Sequence, residues 1–239
     1  HRKRVFPVDG LTLQAMSELN GDIDTPTNQT RFVQPFSKDT LAVLQKISAA
    51  KTIGSALVQA PWQGVGARPE RQWYSTADLS ETEQAKDGTI EKSTKFRNAE
   101  SMIYQGPHFF VGNPLNKTPR RVCKTHASYD VIDLNAIAED YLPRSNFGIS
   151  EKVVHHSRLS KCRWDSSKLH SEFYRVAVRE MINLTSERSF IPSIIPPGVN
   201  HINTIRSVAF TKERDLLNFH SLCCSIVLDG LYKMSGRDH

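Results

Sequence analysis

The chain has 239 residues, 38% hydrophobic and 23% charged, with 31 Lys and Arg against 25 Asp and Glu for a formal charge of +6. That length supports a folded protein with a real core, and no apolar run approaches the roughly 18–20 residues needed to cross a bilayer. The excess of positive charge favours an anionic partner, nucleic acid first among them, and its interspersion argues against a disordered polybasic tail.

In chain order, the first thirty or so residues read as a loose, extended lead-in, FPVDG and then NGDIDTPTNQT, rich in turn formers. SKDTLAVLQKISAA predicts a helix, with Ser37 as its N-cap and Leu41, Leu44 and Ile47, beside Val43, on one face. TIGSALVQAPWQGVGARPERQWYST reads as a strand running into a long basic loop. Trp62 and Trp73 either anchor that loop or offer a stacking platform for nucleotides. ADLSETEQAKDG predicts a short acidic helix, and SMIYQGPHFFVGNPLNKTPRR two short strands around a QGP turn followed by a basic loop. VIDLNAIAEDYLPRSNF predicts a short strand leading into a short helix that stops before Pro143.

Phe173 to Phe210 is the densest stretch. FYRVAVREMI fits a strand better than a helix because it is rich in β-branched residues, and SFIPSIIPP and TIRSVAF read as further strands. Arg175 and Arg179 suit phosphate oxygens, while Asn200, His201, Asn203 and Thr204 both donate and accept hydrogen bonds, as reading a base edge requires. TKERDLLNFHSLCCSIVLDGLYKM closes the chain as one helix, capped by Thr211, with Leu216, Phe219, Cys223 and Ile226 as its apolar stripe and Gly230 ending or bending it. These elements make an α+β fold, a mixed or antiparallel sheet with flanking helices.

Cys123, Cys162, Cys223 and Cys224 show no CxxC spacing and read as reduced, largely buried thiols, hence a cytoplasmic protein. Cys123, His126, His155, His156 and Cys162 match no common zinc pattern. The basic start HRKRVFPVDG has no apolar run behind it and is no signal peptide. The first residue is not Met and SGRDH carries no closing signature, so a piece of a longer polypeptide is expected. Catalytic signatures are scarce: no P-loop, no GxSxG elbow, and a Gly112-Asn113-Pro114-Leu115 run that reads as a turn.

Three segments together resemble the C-terminal target-recognition region of large adenine-specific DNA methyltransferases of single-chain restriction–modification and phage-defence systems. They are MIYQGPHFFVGNPLNKTPR with YDVIDLNAIAEDYLPRSNF, then FYRVAVREMINLTSERSFIPSIIPPGVNHINTIRSVAF, then LLNFHSLCCSIVLDGLYKMSGRDH. The resemblance covers about Ser101 to His239. It implies a target-recognition, DNA-binding domain over residues 101–239, preceded over 1–100 by a helical, loop-rich segment leading to a catalytic domain elsewhere in the same polypeptide. That catalytic domain would bind S-adenosylmethionine and receive the target adenine; this piece lacks the methyl-donor loop and would hold no cofactor or metal of its own. The partner implied is double-stranded DNA, with no membrane. Lys117, Arg120, Arg121, Arg175, Arg179 and Arg188 are the expected positioning residues, and Asn200, His201, Asn203 and Thr204 the expected base or backbone contacts. The alternatives are a metal-dependent nuclease fragment using Asp130, Asp133 or Glu139, and a protein-interaction module of a defence complex.

Overall fold

Period-two alternation decides the central sheet. The computed structural model describes residues 7–22, 24–56, 73–76, 78–92, 102–125, 127–150, 159–162, 164–181 and 185–235. Strands β1 (Trp73–Thr76), β7 (Arg175–Arg179), β8 (Pro192–Ile195) and β10 (Ile205–Phe210) pair antiparallel in the order β1-β10-β7-β8. On one face, Val176 and Val178 of β7 join Val208 and Phe210 of β10 and pack against Leu216 and Phe219 of helix α5 (Glu213–Cys224). Successive side chains point to opposite faces, so Arg175, Ala177 and Ile205 turn the other way. Ala177 and Ile205 enter a second core with Met102, Tyr104, Phe109, Ile191, Ile195 and Val199. The strand expectations for FYRVAVREMI, SFIPSIIPP and TIRSVAF hold, and the fold is α+β.

Three short pairings lie beside this sheet: β2 (Ile90–Lys92) with β6 (Phe147–Ile149), β3 (Ile103–Tyr104) in parallel with β9 (Asn200–His201), and the hairpin β4 (Lys117–Pro119) with β5 (Tyr129–Val131). Leu79, Ile90, Ile103, Phe147 and Ile202 close a core among them. Strands from both sides of residue 100 pair here, β1 with β10 and β2 with β6.

Several helices differ from expectation. The supposed extended lead-in contains α1 (Gly10–Asn20): the Asp9 side chain accepts from Thr12 N–H, and Gly21, at φ +70°, supplies the left-handed C-terminal turn. Helix α2 (Lys38–Ser48) is capped by Ser37 as predicted, burying Leu41 and Leu44 while Val43 stays exposed. Both helices pack with Met234 at the far end of the chain, through Met16, Val33, Leu41 and Leu44. Ile53–Ala56 forms the one-turn α3 where a strand was expected, and Glu83–Lys86 the short acidic α4 that was expected.

The helix expected before Pro143 is a run of turns instead. The closing helix is two: Ser225 is extended (φ −70°, ψ 142°), and its side chain caps α6 (Ile226–Met234) by accepting from Leu228 N–H. That break turns Ile226 out to solvent at 76% exposure, off the stripe predicted for it. Lys212, not Thr211, occupies the N-cap position of α5. No helix among the described residues is long and apolar enough to cross a membrane.

Candidate nucleic-acid interface

Strand alternation places Arg175 and Arg179 on one face of β7, and that face is covered over Arg175. Arg175 is fully buried: Nη1 lies 2.5 Å from Asp78 Oδ2 and 3.4 Å from Ser207 Oγ, and Nη2 donates to the Val199 carbonyl. His170 Nδ1 stands 3.3 Å from Asp78 Oδ1, and His201 Nε2 lies 2.7 Å from Ser207 Oγ and 3.5 Å from Asp78 Oδ2. Burial pushes the His201 imidazole down to about 4, against the pull of Asp78. An acid, an imidazole and a hydroxyl meet here, yet one nitrogen, Nε2, faces both the hydroxyl and the carboxylate. A relay needs two nitrogens, and the group is sealed from solvent. This cluster ties β7, β9 and β10 together.

The accessible chemistry lies in a cleft lined by residues of the small sheets and their connections. This cleft, of about 650 Å³, is lined by Lys92, Arg121 and Lys124, by Gln105, Tyr129 and Asn146, and by Glu81, Pro107, Cys123, Thr125 and Phe147. Lys92 arrives from the end of β2; Arg121 and Lys124 come from the β4–β5 connection; Gln105 follows β3 and Asn146 precedes β6.

A buried imidazole brings the last two together. Gln105 N–H donates to His108 Nδ1 (2.9 Å), which leaves the proton on Nε2 to donate to the Arg144 carbonyl (2.7 Å). Burial lowers the His108 pKa and keeps the ring neutral for this role. Arg144 in turn donates N–H to Thr118 Oγ1 and Nε to the Pro119 carbonyl, and Ser145 Oγ donates to the Ile103 carbonyl. The 144–146 segment is thereby pinned between β3 and β4.

On the cleft floor, Gln105 Oε1 accepts from Asn146 N–H and from Tyr129 O–H, each at 3.3 Å, while Asn146 Nδ2 donates to Tyr129 Oη (3.0 Å) and Cys123 Sγ (3.4 Å). Burial, with Cys123 adding to it, pushes the Tyr129 phenol up to about 12, so it remains a donor across the physiological range.

The ten expected contact residues separate into distinct groups. Lys117 and Arg120 are exposed on the β4–β5 hairpin, Arg120 paired with Asp130 at 2.8 Å, and Arg121 lines the cleft. Asn203 and Thr204 reach its margin: Asn203 Oδ1 accepts from Glu81 N–H and Thr204 Oγ1 from Gly106 N–H. Arg179 is half-buried beside Gly106, and its Nε finds no acceptor among the described residues. Three expectations are corrected by burial: Arg175, Asn200 and His201 are interior, because β7 and β9 run beneath other layers. Arg188 lies elsewhere, donating Nη2 to the Cys224 carbonyl at the end of α5, with Nε 3.7 Å from Asp229.

Lys92, Lys124, Gln105, Tyr129 and Asn146 escaped the sequence reading. Lys124 was within reach of it, in the cationic run Arg120-Arg121-Val122-Cys123-Lys124; the amide pair, 41 residues apart, was not. Of the carboxylates named for a nuclease, Asp130 pairs with Arg120 and Arg144, Asp133 accepts from Asn135 N–H, and Glu139 is exposed. Among the described residues no three His, Cys, Asp or Glu side chains are grouped to hold a metal ion. All four cysteines are free thiols, and Gly112-Asn113-Pro114-Leu115 is a turn, with Gly112 at φ +75° and Asn113 Oδ1 accepting from Leu115 N–H. Trp62, His126, His155 and His156 lie outside the described residues. Comparison with family models, curated proteins and solved structures finds no match for this chain.

Proposed function

We propose that this chain is a sequence-reading DNA-binding module, serving an adenine-specific, S-adenosylmethionine-dependent methyltransferase whose catalytic domain is part of the same polypeptide and which works in the cytoplasm. The observation that carries the DNA-binding reading is the convergence of Lys92, Arg121 and Lys124 on one cleft beside the exposed Lys117 and Arg120 of the hairpin. Cations gathered from separate segments suit a phosphate backbone, which supplies most of the affinity in such complexes. Amides, hydroxyls and a phenol at the same place supply the directional bonds that distinguish bases. Arg179, Asn203 and Thr204 extend this surface past the QGP turn. Arg175, Asn200 and His201 contribute by holding the fold.

The methyl-transfer assignment rests on the resemblance of residues 101–239 to target-recognition regions, and the cleft adds to it only the capacity to grip nucleic acid. Fluorescence anisotropy with a labelled duplex over a salt series tests the DNA-binding part. Affinity should fall steeply with salt, and the combined variant Lys92→Gln, Arg121→Gln, Lys124→Gln should weaken it at least tenfold, with a salt slope smaller by about 0.9 for each phosphate that is no longer neutralised. No binding at low salt, or binding indifferent to the triple substitution, would overturn the reading.

A further inference from the structure

The floor of the cleft has a fixed polarity. Asn146 N–H and Tyr129 O–H both point their hydrogens at one atom of the Gln105 carboxamide, which must be Oε1. What Gln105 turns to a ligand is Nε2, for which no described residue acts as acceptor, on a residue only 7% exposed. Tyr129 has spent its hydrogen on Gln105, so it accepts from Asn146, and the atom that faces it is Nδ2. With both Nδ2 hydrogens engaged by Tyr129 and Cys123, Asn146 offers Oδ1. A free donor on Gln105 and a free acceptor on Asn146 therefore belong to two residues that line the same cleft, the complement of the donor and acceptor on the hydrogen-bonding edge of a nucleobase.

Around that floor stand three cations and one carboxylate: Lys92, Arg121, Lys124 and Glu81. The excess of two positive charges matches a phosphate monoester, which carries about −1.5 to −2 at neutral pH. Glu81 disfavours a bare polyphosphate and suits a ligand with donors of its own, such as sugar hydroxyls or an exocyclic amine. Phe147 and Pro107 add apolar wall. The volume of about 650 Å³ falls within the roughly 300–1,000 Å³ of small-ligand sites. A double helix does not enter such a space; a single nucleotide does.

We infer that the cleft binds one nucleotide unit, with its phosphate on Lys92, Arg121 and Lys124 and its base on Gln105 and Asn146. This narrows the nucleic-acid reading of the same cleft to a defined ligand, either a free nucleotide or one displaced from a strand.

Calorimetric titration with 5′-AMP, GMP, CMP and TMP, and with the matching nucleosides, tests the shared chemistry. Anisotropy with a paired duplex and the same duplex carrying a one-nucleotide bulge separates the sources. At least one monophosphate should bind, at least tenfold more tightly than its nucleoside. Gln105→Met should cost about tenfold, and so should Lys124→Gln, an exposed substitution that leaves the fold intact. Fivefold or greater preference for the bulge identifies a nucleotide within a strand; monophosphate binding with no bulge preference identifies a free one. Paired-duplex binding with neither monophosphate binding nor bulge preference overturns this inference and leaves the duplex reading standing. Monophosphate binding without duplex binding does the reverse.

Discussion

Arg175 Nη1 and Asp78 Oδ2 meet 2.5 Å apart, both sealed from solvent, although 97 residues separate them in the chain. Burial alone would raise the Asp78 carboxyl; His201, Arg175 and His170 outweigh it and hold the group well below the usual carboxylate range. A buried ion pair of this kind is costly to break by removing one partner, since the other charge is left without compensation.

Arg175→Met should therefore lower unfolding free energy by about 3–5 kcal/mol. The double variant Arg175→Met with Asp78→Leu should recover much of that loss, since two apolar groups leave no stranded charge. Urea denaturation followed by circular dichroism reads both. Lost DNA affinity with undiminished stability in Arg175→Met would instead assign Arg175 to the surface.

Acid should destabilise the fold before the carboxylates titrate. His201 is held neutral down to about 4 against an ordinary 6.5, so between those values the unfolded chain takes up a proton that the folded chain refuses. Stability therefore falls as pH drops through that window, by an amount on the order of a few kcal/mol, and levels off below it. His108, also depressed by burial, adds a contribution of the same sign. The Asp78 contribution runs lower: it is present above the ordinary carboxylate value and lost only as pH falls toward the depressed one. Melting temperatures from pH 7.5 to 4 should decline, less steeply in His201→Gln; a flat profile would contradict the buried neutral imidazole.

Asp229 of α6 accepts from the backbone N–H groups of Ser189 (2.8 Å) and Phe190 (2.7 Å), with Lys233 Nζ at 3.4 Å from its other oxygen. Burial works against the charge, and the two N–H groups and Lys233 hold its pKa below the ordinary value. Asp229→Ala strands two backbone donors, Ser189 being fully buried, and should cost about 2–4 kcal/mol. A shift of the denaturant midpoint with unchanged slope would show it; an unshifted midpoint would mean that α6 is not pinned through this carboxylate.

The pattern of residues determined more of the fold than of the site. Ser37 capped its helix, β-branched Val176 and Val178 made a strand, and the α+β class followed from local preferences that act over a few residues. The α1 helix was equally written, in Asp9 and Gly21 at its two ends, and was lost among the turn formers around it. At Ser225 local chemistry pointed both ways, since a helix-periodic stripe ran straight through a residue that also caps helices; its extended backbone divided α5 from α6.

Which side of a strand meets solvent is a different kind of fact. Alternation put Arg175 and Arg179 together but could not say that Asp78, His170 and His201 would close over the first and leave the second near the surface. The Gln105–Asn146 pair exists only because a buried His108 joins two distant loops. Side-chain period and capping are set by neighbours along the chain, whereas coverage and convergence are set by whichever segment packs across, and that depends on the whole core forming at once.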